Sequence, residues 1–505
     1  MCRFCKVVLF LCDDHLRDPV EKIGGRVDRR QFLAMTGAAA LEMGGKALLP
    51  NLAEAAQQAA PADYTIRIAP VAVELAPGRI VRTIGYNGTS PGPILRMREG
   101  KPITVEVINQ MELPELVHWH GQFVAPNVDG ASEEGTPPVP ARGRRRYTFT
   151  PRPAGTRWYH THAMPGKNLH RGLYSGQFGF LYVESGDNPG SYDQEIFLAL
   201  HEWQPFYTNE EEEEEEAGCV RPDGLRVKLA SNQARPAEKA NGLEIGYERF
   251  SINDKALGFG EPIRVKQGDR VLVHLLNASA TESRRVALPG HTFKVVALDG
   301  NEVPTPDAVE VLEIAPAERV DAIVEMSQPG IWILGTTNDE DRKGGMGVVV
   351  EYAGQNGAPQ WVAPPKSPWD YARFGRRDAA PKPDETISLV FKKISGGKGG
   401  MNRWTINGKS FPNTDPIVVH PGGRYRLIFD NQSDDAHPLH LHRHSFELTK
   451  VAGKSTSGIR KDTVMVKHNT QVEVDFVADN PGESLLHCHQ QLHMDFGFMA
   501  LVKYA

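Results

Sequence analysis

Ten of the 18 histidines fall in four tight clusters: HWHG (His118, His120), HTH (His160, His162), HPLHLH (His437, His440, His442) and HCHQQLH (His487, His489, His493). In the last of these, Cys488 sits between two histidines. On a β-strand, residues two apart point to the same side, so each His-x-His presents two imidazoles together, able to hold one metal ion or to bridge two. Four such pairs supply eight imidazoles. Left over are His437, Cys488 and His493, two imidazoles and a thiolate, which is the donor set of a blue-copper electron-transfer site. Zinc accepts the same set, but it has no redox chemistry and gives no reason for eight further imidazoles. Within His487-Cys488-His489 the imidazoles face one way along the strand and the thiolate the other. One tripeptide therefore joins the two kinds of site through covalent bonds. Electrons arriving singly on the cysteine side can collect on the histidine side, at a centre able to pass four of them to dioxygen.

The elements that must hold these clusters repeat at domain scale. YNGTSPGPILRMREGKPITVEVINQ begins at Tyr86, INDKALGFGEPIRVKQGDRVLVHLLNAS at Ile252 and INGKSFPNTDPIVVHPGGRYRLIFDNQS at Ile406. Each reads as an Asn turn, a proline and apolar strand, a Gly-containing turn, and an alternating strand ending near Asn. A second echo links GHTFKVVALDG from Gly290 with RHSFELTKVAG from Arg443. RVLVHLL and QVEVDFVA alternate with period two, the mark of half-buried strands. Copies spaced about 160 residues apart are whole domains rather than solenoid units. The pattern predicts an all-β chain of three consecutive Greek-key β-sandwiches. Residues 1–60 read as an export signal and linker, 61–186 as the first domain, 187–362 as the second, 363–384 as a Pro-rich linker and 385–505 as the third. The second domain lacks clustered histidines; its His201, His274 and His291 read as satisfied or surface residues. Its run of seven glutamates, Glu210 to Glu216, reads as a solvated loop.

Bulk properties agree. The 505 residues are 40% hydrophobic and 24% charged, enough to bury a sizeable core, and 49 Gly with 37 Pro suit many short strands joined by turns. A formal charge of −6 argues against nucleic acid as the main partner. Three of the five cysteines, Cys2, Cys5 and Cys12, lie in the first dozen residues, so the remainder is no disulfide framework. Arg29-Arg30, followed by Phe32, Leu33 and a weakly apolar run with Glu42 and Lys46, resembles a bacterial twin-arginine (Tat) export signal. That signal implies the Tat translocase as a partner and a periplasmic or secreted protein. No later stretch reaches 18 apolar residues, so stable membrane insertion is not expected.

Taken together, the four histidine motifs and the three repeats closely resemble the multicopper oxidases, specifically three-domain bacterial laccases. The resemblance covers nearly all of the exported chain. It implies three cupredoxin-like domains and four coppers per chain: one type 1, one type 2 and two type 3. By that pattern His437, Cys488 and His493 bind type 1 copper, and His118 and His440 bind type 2. His120, His160 and His489 hold one type 3 copper; His162, His442 and His487 hold the other. Substrate is oxidised by one electron at type 1, and dioxygen is reduced to water at the trinuclear cluster. Asp129 matches the position of a carboxylate that relays protons to that cluster, whereas Asp495 reads equally as a rim residue or a solvated one.

Three positions depart from the family pattern. The type 1 axial position, ten residues after Cys488, is Phe498, which cannot ligate; Met499 lies one position off. Loss of a weak sulfur donor favours Cu(I) and a higher potential. Arg443 stands where the family usually has Gly, and Met494 where some relatives have an acid. The expected reductants are phenols and aromatic compounds. A Cu(I), Fe(II) or Mn(II) oxidase is the alternative, although Met401, Met465 and Met494 are scattered and form no Met-rich insert. A non-catalytic periplasmic copper carrier is a third reading, against which the Cys488 linkage and Asp129 both argue.

Overall fold

Asn87, Asn253 and Asn407 open the three repeats with left-handed backbone, φ 53°, 50° and 49°. Each is followed by a second residue with positive φ (Gly88, Asp254, Gly408), which makes the tight primed turn that suits twisted strands. Their side chains repeat one task. Oδ1 of Asn87, Asn253 and Asn407 accepts from the backbone N–H of Arg67, Ala199 and Val390 on a neighbouring strand.

The computed structural model describes residues 61–185, 192–209, 242–397 and 399–505. Expectations for the export signal, for Cys2, Cys5 and Cys12, for Glu210–Glu216 and for the boundary near residue 187 lie outside them. Among the described residues strands dominate, in six sheets. Residues 64–184 form two four-stranded sheets; residues 194–352 and 385–504 each form a six-stranded and a five-stranded sheet. The chain is thus three consecutive cupredoxin-like sandwiches. The second and third have identical strand orders, and the first has the same order short of one hairpin and one strand. Ile66, Val105, Trp119, Tyr147 and Leu181 fill the first sandwich. A continuous apolar cluster, including Val273, Leu298, Phe429 and Val474, runs through the second and third. No helix among the described residues is long and apolar enough to cross a membrane.

Corresponding strands carry the histidine motifs. Val117–His120 and Gly155–Thr161 of the first sandwich occupy the places of His437–Leu441 and Ser484–Cys488 in the third. Their counterparts in the middle are Arg284–Ala287 and Ile331–Thr336, without histidine. Two readings gain detail. The Pro-rich stretch is not a bare linker: Tyr371 and Phe374 are buried in a 3-10 turn, because aromatic residues set among its prolines dock on the sandwiches. Of the two readings of His201, His274 and His291, satisfied or surface, the satisfied one holds: all three are buried. Their imidazoles are held by Ala278 O, by Asp321 and Glu195, and by Pro289 O and Tyr352 Oη.

Candidate metal centre

Pairing of the motif strands makes the imidazoles converge. Val117–His120 lies antiparallel to Gly155–Thr161 with His118 opposite His160. His437–Leu441 lies antiparallel to Ser484–Cys488 with His440 opposite His487 and Leu439 opposite Cys488. Two asparagines at strand ends tie down the loops that lead in: Asn109 Nδ2 donates to Leu113 O (2.9 Å) and Asn431 Nδ2 to Asp435 O (2.7 Å). Across the two sandwiches His118 stacks on His442 (4.0 Å) and His120 on His440 (3.7 Å). Donor atoms then group so that none within a set is more than 4.8 Å from another. The sets are His118, His120 and His440; His120, His160 and His489; His162, His442 and His487; His118, Asp129 and His442; and His437, Cys488 and His493. All of these residues are buried.

Outer hydrogen bonds leave inner nitrogens bare. Nδ1 of His118, His160, His440 and His487 donates to the carbonyl of Asp129, Thr161, Asp462 and Cys488, at 2.9, 2.9, 2.8 and 2.9 Å. His442 Nδ1 donates to Asp129 Oδ2 at 2.8 Å. His120 is inverted: its Nε2 donates to Asp462 Oδ1 at 3.0 Å. Bare lone pairs therefore face each other, His120 Nδ1 to His160 Nε2 at 3.3 Å and His442 Nε2 to His487 Nε2 at 3.0 Å. His118 Nε2, His440 Nε2 and both ring nitrogens of His162 and His489 have no protein hydrogen-bond partner. Buried acceptors facing acceptors are costly unless cations lie among them. Burial first, then repulsion between the rings, pushes His120, His160, His162, His440, His442 and His489 well below the ordinary imidazole range. Burial takes His487 to about 3. All stay neutral, the form that binds metal.

On the opposite face of the Ser484–Cys488 strand, Cys488 Sγ lies 3.7 Å from His437 Nδ1 and 3.5 Å from His493 Nδ1, which are 3.0 Å apart. His493 rides on the short helix Gln491–Asp495 and stacks on Trp404 at 3.9 Å. Ser433 Oγ is hydrogen-bonded to His437 Nε2. Phe498 stands edge-on to His437, ring centroids 4.7 Å apart, while Met499 packs with Leu485 and Met494 in a separate cluster. Burial pushes the Cys488 thiol up, so a soft cation is needed to draw off its proton. Two imidazoles and a thiol around one point fit copper, and the eight bare-faced imidazoles fit a polynuclear site.

Buried carboxylates border the imidazole side. Asp129, which follows the turn at Pro126, is buried with Oδ2 3.0 Å from His118 Nδ1 as well as on His442. Glu134, which sequence reasoning missed, accepts from Leu485 N at 2.6 Å and lies 3.1 Å from His442 Nδ1. Burial, then the nearby Asp129 charge, holds its carboxyl well above the usual range. Asp495 joins no donor set; it accepts from Gly166 N and Gln491 Nε2, both at 2.9 Å. Arg443 has φ 60°, a conformation that glycine adopts most readily. Its buried guanidinium compensates by donating to the carbonyls of Val124, Glu483, Asn480 and Pro481.

Three segments, residues 68–188, 221–354 and 389–505, match family profiles described as multicopper oxidase. Multicopper oxidase MmcO of Mycobacterium tuberculosis is 29% identical, over 95% of this chain and 97% of that protein. Laccase-1 of Cryptococcus neoformans is 25% identical, over 82% and 76%. Among solved structures, a multi-copper oxidase from Pseudomonas thermotolerans is 25% identical with a TM-score of 0.64, covering 88% of this chain and 100% of that one.

Proposed function

The chain belongs to the multicopper oxidase family, copper-binding oxidoreductases that pass electrons from a reductant to dioxygen, and within it we propose a laccase-like enzyme acting on phenols and related aromatic donors. His437, Cys488 and His493 would hold the type 1 copper, and the eight imidazoles the type 2 and type 3 coppers, four ions per chain. Copper supplies one-electron steps at the first site and multi-electron reduction of dioxygen at the second. The observation that carries the reading is the tripeptide His487-Cys488-His489, whose thiol faces one donor set while its imidazoles face the others. Asp129, with Glu134 beside it, would hold a proton at His442 and deliver it toward reduced oxygen. Phe498, edge-on to His437, would offer the Cys488 site no sulfur donor. The division into domains at 61–186, 187–362 and 385–505, and Tat-type export to the periplasm or outside through Arg29-Arg30, belong to the same proposal.

One observation favours metal-ion oxidation as a second reading. Asp435 accepts from the Trp404 indole N–H at 2.8 Å, beside His493, and Asp434 next to it is 64% exposed. Lys393 Nζ stands 2.9 Å from Asp434 and 3.0 Å from Asp435, which neutralises most of that attraction for a cation. Oxygen uptake by the copper-loaded chain with a phenol, Cu(I), Fe(II) and Mn(II) separates the two. The phenol should give the highest kcat/KM, and a metal ion surpassing it would replace this reading.

A further inference from the structure

Behind the imidazoles, three fully buried charges meet, one from each sandwich: Arg157, Arg319 and Asp462. Arg319 grips Asp462 in a fork, Nη1 to Oδ1 at 2.8 Å and Nη2 to Oδ2 at 2.6 Å, and Arg157 Nη1 lies 3.5 Å from Oδ2. Asp462 turns its remaining capacity to the metal side. Its Oδ1 accepts from His120 Nε2 at 3.0 Å, and its carbonyl accepts from His440 Nδ1 at 2.8 Å. Asp299 of the middle sandwich secures both partners, with Oδ1 accepting from Arg319 N (3.0 Å) and Oδ2 from the backbone of Asp462 and Thr463 (3.2 and 3.1 Å).

We propose that Arg319 and Asp462 are positioning residues through which the middle sandwich, itself without clustered histidines, locks His120 in the Nε2–H tautomer and so leaves Nδ1 bare toward His160. A neutral imidazole offers a lone pair only on the nitrogen that does not donate, and a carboxylate facing it can only accept. Five neighbours, His118, His160, His440, His442 and His487, donate through Nδ1. His120 alone donates through Nε2, and the group that imposes this is the one Arg319 clamps. The bidentate fork fixes the plane of the carboxylate as well as its place, which a single ammonium would not do. Arg319 thus acts on the centre across a domain boundary, through Asp462.

The alternative is a clasp that merely joins domains, and the molecule contains a suitable control. Asp321 of the middle sandwich accepts from Thr156 Oγ1 of the first at 2.9 Å and bonds His274, none of which belongs to a donor set. In Asp462→Asn the amide oxygen should take the Oδ2 place, where Arg319 Nη2 and Arg157 Nη1 both donate, turning the NH2 group to His120 and forcing its proton onto Nδ1. In the copper-free full chain with 15N-labelled histidine, His120 should read as Nε2–H in the parent and Nδ1–H in D462N. In the copper-loaded protein, the coupled, EPR-silent type 3 pair should become EPR-visible, doubling the visible copper while the blue absorption persists. R319K should retain more of the coupling than R319M. D321N should leave both the tautomer and the EPR signal as in the parent. The EPR arm rests on the oxidase reading and the 15N arm does not, so a parent chain that takes up no copper defeats that reading while the tautomer still decides the lock. An unchanged His120 tautomer in D462N, or the same spectral change in D321N, overturns the proposal.

Discussion

The second and third sandwiches share one strand order yet do different work. Where the third has His437–Leu441 and Ser484–Cys488, the middle has Arg284–Ala287 and Ile331–Thr336. The middle places its buried polar groups elsewhere. Arg284 binds Glu202 and Asp341, His274 lies between Asp321 and Glu195, and Arg319 reaches out to Asp462. The cupredoxin frame therefore tolerates either outcome, and period-two histidines on two adjacent strands decide whether a sandwich contributes imidazole donors. Removing the donors leaves a domain whose buried charges brace its neighbours. Substitutions of the third sandwich's donors should then change colour, potential or turnover with little change in stability, and those in the middle, Arg319 apart, the reverse.

The largest expected effect is that of Cys488→Ser. The blue absorption should vanish and phenol-driven oxygen uptake fall to background, while the EPR signal of the remaining copper persists; uptake at the parent rate would break the division between the two faces of the strand. Asp129→Asn should lower turnover about 100-fold, the low end for loss of a proton-transfer group, with the blue absorption retained. An unaltered rate would remove Asp129 from proton delivery. In the middle sandwich burial disfavours the His274 cation, but Asp321 first and then Glu195 outweigh it and raise the imidazole to about 9. Because the folded value lies above the unfolded one, its stabilisation is fully present below the unfolded imidazole value and is lost as pH rises through about 9. The shift corresponds to on the order of 3 kcal/mol. His274→Gln should therefore lower the denaturation midpoint at pH 6, flatten its alkaline decline and leave every copper signal unchanged. A copper-signal change there would erase the distinction between the sandwiches. The smallest effect is expected from Phe498→Met, which should lower the type 1 potential by on the order of 60 mV, the equivalent of one tenfold change in preference for the oxidised site. A redox titration giving the same or a higher potential would contradict the axial assignment.

The donor sets were legible because strand geometry makes spacing equivalent to direction: His-x-His on a strand predicts two imidazoles on one side, and the structure has them there. The three Asn turns were legible for a similar reason, since Asn and Gly are the residues that accept positive φ cheaply. Glu134, Asp462 and Arg319 were not. None belongs to a repeated motif, and the partner of each lies far along the chain; Asp462 is 342 positions from His120. Only the packing of the three sandwiches brings them together, and no local pattern encodes that packing. Arg443 shows the same limit. Its identity breaks the family pattern, and the compensating carbonyls are visible only once the loop at Asn480–Glu483 is folded beside it. Sequence left His201, His274 and His291 open between satisfied and surface positions, because an isolated His carries no sign of the partners that will face it.

The most direct measurement is oxygen consumption by the copper-loaded full chain with a phenol as reductant, followed together with copper content and visible absorption. An intensely blue protein that binds four coppers and consumes dioxygen without releasing peroxide is the expected result. A copper-loaded chain that is colourless and takes up no oxygen would contradict it.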